Sequence, residues 1–191
     1  MTAANANQST APLRADLLLV VFLIGFDVAA RLLMHIPNVS PVAASALFAG
    51  MMVSRRPLAL LVPLAAMLIG DALIGFDFWR VSAVVYAAML LPAVVGILAH
   101  RIRPSRIVVP AVVACSLIFF AATNLAVWAF SGMYSLDTAG LVQCFTLALP
   151  FLKYTMAGDL AWAAALFGGA WLVQRLTARG AIGGTAPQAG A

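Results

Sequence analysis

The chain has 191 residues, of which 64% are hydrophobic and only 9% charged; its net charge is +5 and its mean hydropathy +1.06. A soluble domain carries about 25% charged residues, and a chain with six Asp, no Glu and a single Lys cannot clothe itself against water. A soluble enzyme, a nucleic-acid binder and a disordered chain are thereby set aside, since the basic residues are also scattered, and an integral membrane protein remains.

A membrane helix needs about 20 apolar residues to cross the hydrocarbon. Such runs are predicted in chain order at 16–36, at 39–54 (a shorter one), and at 57–76, 81–99, 107–131 and 155–174. Between the last two lies 138–152, apolar but short and ending in Pro150, read as a re-entrant or interfacial helix. The expected fold is therefore all-α and integral to the membrane, with six transmembrane helices plus one re-entrant or interfacial helix. Strands are not expected, because no run alternates apolar and polar residues. Asp27 and Arg31 interrupt the first run and no small-residue cleavage site follows it, so it is kept as a span. Residues 1–13 and 177–191 read as mobile tails around one membrane domain at 14–176.

With six crossings and a cytoplasmic N-terminus, the inner segments hold Arg14, Arg55, Arg56, Arg101, Arg103, Arg106, Arg175 and Arg179, and the outer ones only Arg80 and Lys153. The positive-inside rule then puts both the N-terminus and the C-terminus in the cytoplasm. Localisation in a bacterial inner membrane, multi-pass, is the corresponding expectation.

Ionisable groups in hydrocarbon are costly, and each needs a partner or a task. Asp27 and Arg31 stand four apart on the first helix, able to pair. With the orientation applied, Asp71, Tyr86, Asn124 and Asp159 fall in the outer halves of four helices, and Asn38 at the same end. A polar set at one depth predicts a pocket open to the outer face, rimmed by Phe76, Phe78, Trp79, Trp128, Tyr134 and Tyr154. The plainer alternatives are a neutralised pair that fixes packing and an interfacial aromatic belt. Direct ligands are expected at Asp71, Tyr86, Asn124 and Asp159, with Asp27, Arg31 and Asn38 shaping the wall.

No P-loop, nucleophile elbow, dinucleotide fingerprint or metal-ligand spacing is present, so neither catalysis nor a bound cofactor is expected. Cys115 and Cys144 lie on different segments and are not expected to pair. On the sixth span Ala157, Ala161, Ala165 and Gly169 form a small-residue stripe, and the second span offers Ser45/Ala49 and Ala46/Gly50. Such stripes serve packing within the bundle or contact with a partner.

The stretch PNVSPVAASALFAG at 37–50 is followed by LALLVPLAAMLIGDALIGF at 58–76 and TNLAVW at 123–128. Together with MYSLDTAGLVQCFTLALPF at 133–151 and GDLAWAAALFG at 158–168, they resemble a bacterial inner-membrane family of unknown function. The resemblance spans about residues 16–172, and that family is in turn similar to the substrate-binding S components of energy-coupling factor (ECF) vitamin transporters. It implies a subunit that binds a small vitamin-like solute, cobalamin-type as the first expectation, and works with a coupling membrane protein and ATPase subunits. A related group ligates cobalt through a cysteine; Cys144 is the candidate here, although Arg80 or Val84 occupies the equivalent region. The alternative is a non-transporting accessory subunit of a larger membrane complex, docked by the stripe on the sixth span. The expected partners are thus a small-molecule solute, the lipid bilayer and the coupling proteins, with no nucleic acid.

Overall fold

The computed structural model describes residues 3–33, 39–75 and 78–183. Those residues form six helices, α1 (Ala3–Leu33), α2 (Val42–Met52), α3 (Arg56–Ile74), α4 (Trp79–Ala99), α5 (Pro104–Phe130) and α6 (Thr138–Gly183). Among them, α3, α4, α5 and α6 are long and apolar enough to cross a membrane, while α2 is a shorter apolar helix. Large side chains such as Leu18, Phe22, Leu98 and Val109 are exposed on the outside of the bundle. In water that would be untenable, and in hydrocarbon it is the expected surface. The chain has the make-up of a membrane protein.

Three differences from the sequence expectation stand out. Residues 138–152 are not a separate re-entrant or interfacial helix: they are the first part of α6, which continues through Pro150 for 46 residues. Proline removes one backbone donor, a loss that a helix in a membrane tolerates, and neither glycine nor a turn-forming run follows it. The second predicted crossing is helical over only 11 residues, about 16 Å, or half the hydrocarbon thickness. Finally, α1 begins at Ala3 and α6 runs to Gly183, so 3–13 and 177–183 continue helices where structureless tails were expected.

Contacts at the helix ends sort the bundle into two faces. The Asp16 carboxylate of α1 accepts from the backbone N–H groups of Ser54 and Arg55 at 3.1 and 3.0 Å, closing the start of α3. The Arg56 guanidinium donates to the Ile97 carbonyl at 2.8 Å and lies 3.0 Å from His100 Nδ1, joining α3 to the end of α4. The arginines at 55, 56, 101, 103 and 106 thus gather at one end. At the opposite end Asp137 opens α6. Its carboxylate takes the Gly140 N–H at 2.7 Å and the Ser135 hydroxyl at 2.9 Å, and these bonds hold it below the usual carboxylate range. Gly140 is required there, because a Cβ would sit 2.0 Å from the Ser135 carbonyl oxygen.

α2 is buried at Val42 and from Ala44 through Met51, which marks it as the central helix. Its tightest neighbour is α4. A Cβ on Gly50 would lie 2.3 Å from the Ala93 carbonyl oxygen, and one on Gly96 would lie 2.4 Å from that of Leu47. The two helices therefore cross backbone to backbone, as small-residue motifs permit in membranes.

Candidate functional site

The polar residues divide into a cross-helix lock and a mid-bundle cavity. The lock is centred on Asp71 of α3. Its Oδ1 lies 2.5 Å from Arg31 Nη2 of α1, and its Oδ2 accepts the Tyr86 hydroxyl of α4 at 2.8 Å. The Arg31 guanidinium also lies against the Met67 sulfur. Gly70 makes the space, since a Cβ there would come within 2.6 Å of Arg31 Nε. The i,i+4 spacing pointed to Asp27 as the partner of Arg31; the structure pairs Arg31 with Asp71 instead. Asp27 is fully buried and accepts the Ser45 hydroxyl of α2 at 2.7 Å, while its Oδ2 has no hydrogen-bond partner.

The cavity lies where α2 begins, near the middle of α4, α5 and α6. It has a volume of about 100 Å³ and is lined by Ser40, Ala43, Met89, Cys115, Ser116 and Asp159, among others. Asp159 is 7% exposed. Its Oδ2 lies 2.7 Å from the Ser116 hydroxyl, which is also 2.9 Å from the Val112 carbonyl oxygen. One hydroxyl proton serves one of these acceptors at a time. Among the described residues, Ser116 is the only hydrogen-bond partner of Asp159.

Asn124 lies in an adjoining cavity of about 130 Å³ between α5 and α6, which shares Phe119 and Thr155 with the first. Its Nδ2 donates to the Phe120 carbonyl at 2.8 Å. The cavities of Asp159 and Asn124 therefore share one wall, whereas Asp71, paired with Arg31, and Tyr86, bonded to Asp71, line neither cavity. Asn38 lies outside the described residues, as does Phe76 of the expected rim. Cys144 is buried with its sulfur 3.5 Å from the Asn124 carbonyl oxygen, and it too lines neither cavity. Among the described residues no group of three or more His, Cys, Asp or Glu side chains could hold a metal ion.

Of the expected rim, Phe78, Trp79, Trp128, Tyr134 and Tyr154 line neither cavity. Trp79 and Phe78 are exposed. Arg80 lies over the Trp79 and Phe130 rings at 5.3 and 5.8 Å, and Lys153 over Tyr154 at 5.1 Å. Trp128 donates its indole N–H to the Ser135 carbonyl at 3.0 Å, pinning the α5–α6 turn. Sequence reasoning missed Ser116, Ser45 and Thr155 as site residues. Their one sequence signal is a hydroxyl inside an apolar run.

Residues 12–181 match a family described as a family of unknown function, DUF6580. The chain belongs to this family. The match takes in the Arg31–Asp71–Tyr86 lock and both cavities, and the family's description assigns no activity. No curated protein and no solved structure matches the chain.

Proposed function

We propose that this protein is the solute-binding subunit of a membrane transport system. It crosses a bacterial inner membrane six times with both termini on the arginine-bearing, cytoplasmic side. The observation that carries this reading is Asp159: a carboxylate held at mid-bundle by one hydroxyl and facing a cavity, next to a second cavity that presents Asn124. An ionisable group at that depth marks a solute or ion pathway by default. The half-length α2 adds support, since a helix that begins at mid-depth beside a polar cavity is a recurrent feature of transporter sites.

The cavities favour a small solute. About 100 and 130 Å³ compare with roughly 300–1,000 Å³ for drug-sized ligands. A cobalamin-type solute exceeds both, and the geometry favours a polar molecule or ion of a few heavy atoms. The chain binds and releases its solute without chemical conversion. It draws energy from a coupling membrane protein with ATPase subunits, as the sequence resemblance implies.

Side-specific labelling tests the route. Thr155 lines both cavities. With Cys115 and Cys144 replaced by alanine, Thr155→Cys is expected to react with a charged, membrane-impermeant thiol reagent applied from the side opposite the arginines. Reaction from the arginine side alone, or from neither, would sink the outward-facing reading.

The accessory-subunit reading has one observation in its favour. Ala157, Ala161, Ala165 and Gly169 are all exposed, so the stripe on α6 is left unused by the bundle. The two readings part on what stays with the purified protein, a small solute or a second membrane protein.

A further inference from the structure

At the arginine-bearing end, a groove of about 630 Å³ runs between the first turns of α5 and the second half of α6, floored by Met52 at the end of α2. It shares no residue with the cavities at Asp159 and Asn124. Val108, Leu160, Ala163 and Phe167 make its wall apolar, and Arg103, Ser105 and Gln174 make one end polar. Arg101, Arg103 and Arg106 are exposed, and the Arg175 guanidinium lies 5.1 Å from the Trp171 ring centre at the same level. Among the described residues the one ion pair is Arg31–Asp71, so none of these arginines has a carboxylate within ion-pair distance.

An apolar slot that ends in uncompensated guanidinium charge at a membrane surface is complementary to one kind of molecule: an acyl chain carrying an anionic phosphate head. A zwitterionic lipid offers the same chain but brings its own cation to the arginines. We propose that this groove binds an anionic phospholipid, with Arg103 on the phosphate and one acyl chain lying along Phe167 and Gly168. The site is separate from the solute cavities and does not depend on the transport reading.

Gly168 supplies a clean test, because a Cβ there meets nothing within 4 Å. Gly168→Leu fills the slot without disturbing the bundle, and Arg103→Gln removes the charge at an exposed position. The purified full chain is titrated in detergent with phosphatidylglycerol or phosphatidylcholine of identical chains, and bound lipid is counted by native mass spectrometry. The wild type is expected to hold phosphatidylglycerol about fivefold more tightly, the worth of one engaged arginine. Arg103→Gln erases that preference while still retaining both lipids, Gly168→Leu weakens both, and inorganic phosphate displaces neither. Equal retention by the wild type overturns the proposal, as does a preference untouched by Arg103→Gln or displacement by phosphate alone. Release of a second copy or another membrane protein by Gly168→Leu, with lipid unchanged, assigns the groove to a protein and overturns it too. Should Gly168→Leu fail to fold, Arg103→Gln decides the outcome alone.

Discussion

Gly96→Leu is expected to destroy the folded bundle. A Cβ at position 96 would stand 2.4 Å from the Leu47 carbonyl oxygen and 3.0 Å from the Gly50 Cα. Both are backbone atoms, with no flexible side chain to yield. Relief requires α2 to move away from α4, and α2 is the buried centre of the molecule. Overpacking in a core costs about 1–3 kcal/mol, occasionally more; here the loss should exceed about 3 kcal/mol, since the displaced element is a whole helix. The measurement is the yield of monodisperse protein in mild detergent and its thermal inactivation temperature. Gly96→Ala should fall between the two, since it keeps the Cβ clash but adds nothing beyond it. A normal yield and an unchanged inactivation temperature for Gly96→Leu would refute the backbone-to-backbone crossing.

Arg31→Ala should have the second-largest effect. It strands the Asp71 carboxylate between α1, α3 and α4 with only the Tyr86 hydroxyl to compensate it. Removing one partner of a fully buried pair costs about 3–5 kcal/mol. This pair is partly buried, at 18% and 15% exposed, so the loss should be at or below about 3 kcal/mol. Replacing both partners with apolar residues of similar volume is often close to neutral. The double variant Arg31→Met/Asp71→Leu should therefore recover most of the thermal stability lost in Arg31→Ala. Tyr86→Phe, which removes one hydrogen bond and leaves the ion pair, should cost only about 1 kcal/mol. If the double variant were as unstable as the single one, the pair would be doing something other than locking three helices. These variants also separate structure from binding: the sequence points to Asp71 as a direct solute ligand, and in the structure it is paired with Arg31 and Tyr86.

How much of this was legible in the chain differs from element to element. The expected spans 57–76, 81–99 and 107–131 lie close to α3, α4 and α5, because arginine, proline and glycine bracket each apolar run. Hydropathy could not reveal that α6 continues through Pro150, since a proline between apolar segments signals a break or a tolerated irregularity equally well. It also reported the apolar length of 39–54 but not that helical geometry holds only from Val42.

For the site, counting residues along each span gives depth but not which helices are neighbours. Depth alone groups Asp71, Tyr86, Asn124 and Asp159 as one set. Lateral packing divides them: α1, α3 and α4 hold the first two with Arg31, while α5 and α6 hold the last two. The partner of Arg31 departs from the sequence expectation for a related reason. Spacing within one helix ranks Asp27 first, and the opening that Gly70 makes on α3 is visible only once the helices are packed. Of the two small-residue stripes, the one ending at Gly50 is consumed by the α2–α4 crossing, while that on α6 stays exposed.

The central claim is that the cavity at Asp159 holds a small solute, and the most direct measurement is mass spectrometry of low-mass molecules retained by gently purified protein. The wild type is compared with Asp159→Asn, which keeps the shape of the side chain but removes its charge. The account predicts a small polar solute or ion held by the wild type in near-stoichiometric amount and lost from Asp159→Asn, with both proteins equally monodisperse. An identical set of retained molecules in the two proteins would contradict it.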